Sequence, residues 1–425
     1  MLKICLKLIF FWILGVPLFA QQMIKENGVE MWYRRSPSPR TSLEVIIRGG
    51  QSLAPVRKDG LESLLLDLVF LYGPTGFDSL SFSRYLDSLD IQLSWDVQPD
   101  YGRVRMNMPV SSTEEGLKLL TNCFLHPKLE NNKLSQLVQA RIHTLDHGEV
   151  SAEQRANQVS RSLLFRQGPQ GNALYGTTQT LNQISIQDLK SFYKNQYVKS
   201  AFLVSVVTSE DLSWTKQKVV GTLGQLPLGL FQGIPQAPLQ PLEKTAFQSV
   251  KDSGSNSILI GMARIPSLST QEGVSAMLAA SWLEHQVRKE LIYNRNLAVE
   301  VKCGVSFMKS PYFFFQIMGP DLKVARMVLK EIWNIQQPPD SIAFQQYREL
   351  FLTVWFSGMQ TGDALAHFTA EQSWIWEGMN DVQWRNHLRS VRPQDIQAVS
   401  QKWLTRLQWV YIGVPGQVSE ADIQF

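Results

Sequence analysis

At 425 residues, the chain is too long for one compact core and has the length of two or three domains. Hydrophobic residues make up 44% of it and charged residues 18%, so large cores can form and global disorder is excluded. The formal net charge is only +4, which gives no indication of a nucleic-acid partner.

Histidine and cysteine, on which most metal and nucleophilic sites depend, are scarce at six and three residues. Cys5 lies in the leader described next, which leaves Cys123 and Cys303 far apart in the sequence and without a C-x-x-C pair. A disulfide between them is one alternative. The pattern favours the other, two buried free thiols.

Residues 1–20 have the pattern of a secretory signal peptide. Two lysines precede an apolar run over residues 8–19, and the small residue Ala20 stands before the predicted cut. A membrane anchor is the alternative, but it needs about 20 apolar residues, and Gly15 and Pro17 interrupt this shorter run. We expect a protein without a stable anchor, secreted across the cytoplasmic membrane and periplasmic in a bacterium.

The segment after the leader has the patterns of a mixed α and β domain. Asp59 and Glu62 have the spacing of a capping box, and a stripe of leucines follows them, so a helix is predicted to begin there. Alternating apolar residues beside turn signals predict the strands. The strands are 43–47, 91–97, 103–108 and 201–208, and the later helices are 112–124, 130–145, 152–165 and 185–197.

Residues 226–242 are rich in Pro and Gly and are interpreted as a linker, after which the same order of elements begins again. We therefore predict an α+β protein of two duplicated domains, residues 24–225 and 243–425, with a cleft between them. Each has helices on one face of a mainly antiparallel sheet. The second set has strands 257–263, 297–305, 312–318 and 409–414, and helices 271–289, 321–333, 341–355, 362–376 and 393–404.

Several segments, taken in order, resemble the two-domain subunits of the M16 (pitrilysin-like) zinc metallopeptidases. They are residues 46–50, 60–70, 174–177 and 186–197, with corresponding segments in the second half. The shared order carries the resemblance, which covers nearly the whole mature chain. It implies that each domain has the M16/LuxS-like metallohydrolase fold.

Active members of that family carry an H-x-x-E-H helix, in which two His bind zinc and the Glu activates water. On this chain the first His position is Ser63, the Glu position is Leu66 and the second His position is Asp67. The family's third ligand falls on Arg141 by local pattern or on Thr144 by strict spacing. These side chains cannot supply the ligands and the base, so the resemblance implies a degenerate motif and no zinc cofactor.

Two further family features are missing. The Arg and Tyr with which the second half of active enzymes holds the substrate fall on Ile292 and Val299. The Gly-rich loop of one noncatalytic mitochondrial subunit has no counterpart. In the degenerate helix itself, Arg141 lies opposite Asp67, and we predict a salt bridge in place of the metal cluster.

Two residue patterns offer alternatives. His143 and His147 are four apart beside Asp146, so on a helix they share a face and are candidate zinc ligands; surface histidines at a helix end are the other interpretation. The tryptophans of the second half fit core packing, with Trp374 and Trp376 the best candidates for an exposed surface.

The leading functional hypothesis is a noncatalytic M16-like subunit that forms a heterodimer with an active zinc-bearing homologue around a periplasmic peptide-degrading chamber. A stand-alone peptide-binding or scaffolding homodimer, which captures unfolded peptides by adding a strand to a sheet edge, is the alternative. A third hypothesis is an active zinc metalloendopeptidase that uses His143 and His147.

Overall fold

The computed structural model describes residues 21–147, 151–166, 168–236, 238–252, 256–297, 299–320, 322 and 338–423. The predicted signal peptide lies outside the described residues, as does all but one residue of the predicted helix 321–333. Among the described helices, none is long and apolar enough to cross a bilayer.

The first sheet has six strands in the order β1-β2-β6-β3-β5-β4. Among its described strands, only β2 and β6 pair in parallel. The central strand β3 is buried over most of its length, and its Val45 lies between Val104 of β5 and Val204 of β6. The strands are β1 Gln22–Glu26, β2 Val29–Arg35, β3 Arg40–Arg48, β4 Gln92–Val97, β5 Tyr101–Pro109 and β6 Phe202–Thr208.

The hairpin formed by β1 and β2 was missed by the sequence interpretation. Asn27 and Gly28 join the strands, and both have positive φ angles, of 49° and 74°. This dipeptide is a typical two-residue hairpin turn, so the signal was present in the sequence.

The helices of the first half cover one face of the first sheet. The leucine stripe of α1 is buried in its core, as the spacing predicted. The sequence did not reveal α2, which has a capping box of Asp78 and Ser81, or α8, whose first turn is capped by Asp211. The helices are α1 Leu61–Leu71, α2 Ser79–Ser88, α3 Thr113–Leu125, α4 Asn131–Asp146, α5 Ala152–Leu164, α6 Thr178–Leu181, α7 Ile186–Gln196 and α8 Leu212–Leu223.

The second sheet repeats the first with one strand fewer, in the order β7-β11-β8-β10-β9. Its one parallel pair, β7 with β11, corresponds to β2 with β6, and the antiparallel pairs follow in the same sequence. The predicted duplication is therefore confirmed. The strands are β7 Ala246–Lys251, β8 Ser257–Arg264, β9 Glu300–Val305, β10 Tyr312–Gly319 and β11 Gln408–Gly413.

The second half also has its own helices. The longest, α9, continues through a wider π turn over Lys289–Asn294, and the last one continues likewise over Ser400–Leu404. The described helices are α9 Gln271–Arg288, α10 Ser341–Ser357, α11 Gly362–Ile375, α12 Asp381–Ser390 and α13 Pro393–Val399.

Each half contributes one helix to the sheet of the other half. Helix α5 packs on β8 and β11, where Ala156 and Leu164 share an apolar cluster with Ile260 and Val410. In return, α11 packs on β3 and β6. The sequence patterns indicated two layer sandwiches but not this exchange, which joins the two halves through apolar surface.

The expected exposure of Trp374 and Trp376 is wrong, because both side chains are buried. The cations of Arg48 and Lys309 lie 5.4 and 4.8 Å from the centre of the Trp374 ring. Trp376 stacks on Trp384 at 5.4 Å between ring centres, within an aromatic core. These rings are therefore structural.

Cys123 and Cys303 are both buried and free, as the sequence favoured. Burial raises the pKa of the Cys123 thiol to about 12, so the thiol stays protonated at neutral pH.

Enlarging the buried contact of α5 with the second sheet tests the helix exchange. Ala156 is completely buried there, and Ala156→Leu should lower the free energy of unfolding by about 2 kcal/mol through overpacking. The control Ala398→Leu lies at an exposed position of α13. Urea unfolding measures both, and equal stability of the two variants would contradict the packing.

Candidate functional site

The start of α1 is fixed by glycine rather than by the predicted capping box. Gly60 is the N-cap residue, in the left-handed conformation with φ 89°, and no side chain caps the helix. The carboxylate of Asp59 accepts instead from the backbone N–H of Ala173 at 3.1 Å, and its carbonyl accepts from Thr180 Oγ1 at 3.0 Å. The loop that contains Ala173 is thereby held against the beginning of α1.

Two of the segments that carry the family resemblance touch at this point. A Cβ atom on Gly60 would lie 2.8 Å from the backbone nitrogen of Gly176, and one on Gly176 would lie 2.7 Å from the carbonyl oxygen of Asp59. Only glycine allows the two backbones to approach this closely. The contact places Tyr175 beside the face of α1 on which the degenerate motif lies.

The degenerate motif forms a polar network with α4. Arg141 donates to the Asp67 carboxylate in a short ion pair and, at 2.6 Å, to the hydroxyl of Ser63. The second carboxylate oxygen of Asp67 accepts from Trp95 Nε1 at 2.8 Å, whereas Leu66 points into the core. The salt bridge predicted between Asp67 and Arg141 is confirmed.

This network is largely withdrawn from water. Burial raises the pKa of the Asp67 carboxyl, and the attraction of Arg141 and the hydrogen bond from Trp95 oppose that rise. Burial also lowers the pKa of Arg141, although a guanidinium in a protein stays protonated. The positive charge of Arg141 is thus balanced inside the protein by the Asp67 carboxylate.

A buried carboxyl in the same helix was missed by the sequence interpretation. Glu62 is completely buried, and desolvation raises its pKa to about 8, so the side chain is protonated at neutral pH. It lies under β5, where a Cβ on Gly102 would come within 2.5 Å of one carboxyl oxygen. Its position beside the leucine stripe gave no signal of burial.

His143 and His147 lie on the exposed surface at the end of α4. Their rings stack with 3.9 Å between centres, and Nδ1 of His147 is 2.9 Å from the carbonyl oxygen of His143. The Asp146 carboxylate accepts from Thr178 Oγ1 at 3.0 Å. Within the described part of the chain, no three His, Cys, Asp or Glu side chains are grouped to hold a metal ion.

The second-half positions assigned by resemblance, Ile292 and Val299, pack against the second core and do not line the cavity described next. Ile292 belongs to the π turn after α9, and Val299 precedes β9.

A cavity of about 1010 Å³ opens beside the network. Its wall combines α4, α5, the loop 173–178 and Val250 of β7, so both halves contribute. Asp67, Arg141 and Thr144 line it together with many apolar side chains. The sequence predicted a cleft between the halves but not that α5, with Arg155 and Arg161, forms one of its walls.

The chain matches a family model described as the peptidase M16 inactive domain over residues 183–349. It is 22% identical over 191 residues to a non-peptidase homologue, YmxG, of Helicobacter pylori. That alignment covers 45% of this chain and 44% of the relative, less than half the relative's length.

Solved structures show the same fold at low sequence identity. A peptidase M16 inactive domain from Pseudomonas fluorescens superposes with a TM-score of 0.82 at 14% identity, over 93% of this chain and 98% of that one. A protease from Helicobacter pylori superposes with a TM-score of 0.81 at 13% identity, over 94% of this chain and 100% of that one. The periplasmic protease PqqL from Escherichia coli superposes with a TM-score of 0.72 at 12% identity, over 94% of this chain but only 46% of that one.

Replacing only Arg141 of the buried ion pair should destabilise the protein more than replacing both Arg141 and Asp67. Arg141→Met leaves the Asp67 carboxylate buried without its cation, and we expect a loss of about 3 kcal/mol in unfolding free energy. The double variant with Asp67→Asn should recover at least half of that loss. Denaturant unfolding completes the double-mutant cycle, and a double variant no more stable than Arg141→Met would show that the pair is not coupled.

Glu62 should make the protein less stable as pH rises. Its folded pKa of about 8 lies above the ordinary 4.5, so the folded state binds more protons between these values. The contribution of Glu62 to the free energy of unfolding is then complete below about pH 4.5, decreases progressively up to about pH 8, and stays constant above that pH. The rise of the pKa from 4.5 to about 8 corresponds to a fall of about 5 kcal/mol in unfolding free energy, and Glu62→Gln should remove it.

Urea unfolding between pH 5 and pH 9 measures the effect of Glu62→Gln. Asp100, whose pKa burial raises to about 7, contributes a fall of the same sign in both proteins. The exposed Glu420→Gln serves as the control and should retain the wild-type slope. Parallel curves for wild type and Glu62→Gln would contradict the assignment.

Proposed function

We propose that the chain is an inactive member of the M16 peptidase family and serves as a noncatalytic subunit of a peptidase pair. Its partner is an active homologue that carries the zinc. The observation that carries the proposal is the network of Ser63, Asp67 and Arg141, which occupies the positions at which the resemblance places zinc ligands.

The chemistry of the network argues against hydrolysis on this chain. Leu66 has no group that can take a proton from water, and the Asp67 carboxylate is occupied by Arg141 and Trp95. A cation placed at the former metal position would also repel zinc. At the same time both sheets and the cavity between them are retained, which supports a role in binding and assembly.

The size relation to PqqL supports a pair. This chain superposes over 94% of its length on 46% of that periplasmic protease, so it corresponds in fold to a little under half of it. A second two-domain subunit would supply the other half of such an assembly. The signal-peptide pattern of residues 1–20 and the compartment of PqqL together support the periplasm as the location.

Within the pair, this subunit would contribute the wall that holds an unfolded peptide. The cavity is of the size that buries several side chains, is largely apolar, and is bordered by Val250 of the edge strand β7. Apolar side chains of a peptide can enter it, while main-chain groups can pair with the edge strand. The same features would serve the alternative homodimer, so the partner has to be tested directly.

Co-purification from the native host tests the pairing. A tagged copy of this chain should bring down an M16 homologue with an intact H-x-x-E-H motif, and chelator-sensitive cleavage of an unfolded protein should require that homologue. Zinc measured on this chain alone should be well below one ion per chain, and equally low in His147→Ala.

Three results would overturn the pairing or its chemistry. Stoichiometric zinc that is lost in His147→Ala would assign an active site to this chain. Recovery of this chain without any M16 homologue would remove the partner. A homodimer by size-exclusion mass that binds unfolded peptides by itself would favour the alternative.

A further inference from the structure

The cavity contains a buried cation that has no carboxylate within ion-pair distance among the described residues. Arg161 of α5 lines the cavity and is only 8% exposed. One of its terminal nitrogens donates to Gln158 Oε1 at 2.7 Å and to the carbonyl oxygen of Asn172 at 2.8 Å. Its Nε is buried and has no hydrogen-bond partner among the residues that the structure describes.

The other arginines of the cavity wall are paired. Arg141 contacts Asp67, and Arg155 contacts Asp252 in a short ion pair. For Arg161, no carboxylate of the described residues lies within ion-pair distance. Asp59 attracts it only from farther away and accepts a hydrogen bond from the backbone N–H of Ala173. Arg161 thus differs from both neighbours in charge compensation.

A buried guanidinium without a close carboxylate is costly, because the group loses its hydration and stays protonated. Burial lowers the pKa of Arg161, which reflects that cost. A carboxylate or another anion placed beside the guanidinium would offset it with charge-assisted hydrogen bonds. The position therefore suits an anionic group of a bound molecule.

The surroundings of Arg161 define the rest of that molecule. The apolar side chains of the cavity wall require an apolar body directly beside the carboxylate. Among the described strands, β7 pairs only with β11, so its outer edge is available to an extended main chain next to Val250. A free edge strand favours a peptide over a fatty acid.

We propose that Arg161 binds the C-terminal carboxylate of a peptide whose last, apolar residues fill the cavity. This inference rests on the proposed peptide-binding role. It adds the direction in which the peptide binds, with the C-terminus of the peptide entering the cavity first. A terminal carboxylate follows the last side chain directly, whereas an internal Asp or Glu would require the chain to continue through the cavity. Arg161 is here a binding residue and not a catalytic one.

Fluorescence polarisation with two labelled peptides tests the proposal. Both carry fluorescein at the N-terminus and end in the residues Ala-Val-Leu, one with a free carboxylate and the other as the amide. The full-length protein should bind the acid at least tenfold more tightly than the amide. Arg161→Gln should bind both peptides as weakly as the wild type binds the amide.

The matched control is Arg155→Gln, on the same helix and cavity wall but at a cation that Asp252 already pairs. It should keep the tenfold preference for the acid. Thermal unfolding of each variant checks that the fold is intact. If Arg161→Gln does not fold, the wild-type ratio of acid to amide affinity still decides the proposal.

Equal affinity of the wild type for acid and amide would overturn the inference and leave the peptide-binding role in place. Failure to bind either peptide would overturn the inference and the peptide-binding role, while co-purification of the M16 partner tests the pairing separately. Decanoate that binds more tightly than the acid peptide would assign the cavity to a fatty acid and overturn the peptide assignment.

Discussion

The exchange of α5 and α11 between the two sheets is the constraint on which the rest of the structure depends. Apolar side chains of α5 are buried on β8 and β11, and α11 is buried on β3 and β6, so neither half can move away without exposing a core. The same exchange places α5 opposite α4. The cavity, its arginines and Asp67 are therefore brought together by contacts between the halves.

The ion pair of Asp67 and Arg141 lies at the positions on which the family resemblance places zinc ligands. Both side chains are mostly buried, so their attraction is offset by lost hydration, and the pair adds little net stability. It does fix how α1 and α4 face each other, because Trp95 and Ser63 hold the same two groups. A subunit without catalysis can thus keep the geometry of its wall, which is consistent with the proposed pairing.

Much of the fold could be predicted from local patterns, whereas the site could be predicted only where two residues had opposite charges. The leucine stripe of α1 and the repeated order of strands gave the two-sheet architecture, and Asp67 with Arg141 gave the ion pair. The hairpin at Asn27 and Gly28 carried a turn signal that was overlooked. The burial of Glu62 and Trp374 was not predicted, because the sequence around a polar or aromatic residue beside an apolar stripe does not reveal which element will cover it.

The sequence by itself determined the duplicated α+β architecture, since that follows from residue types and short-range spacing. The substitution of the metal-ligand positions is an expectation that the family resemblance adds. Only the tertiary structure decided that α5 crosses to the second sheet, that Glu62 and Trp374 are buried, and that Arg161 lines the cavity with no carboxylate of the described residues within ion-pair distance. These properties depend on contacts between residues distant in the chain. Burial and charge compensation are set by the whole surroundings of a side chain, which no local pattern contains.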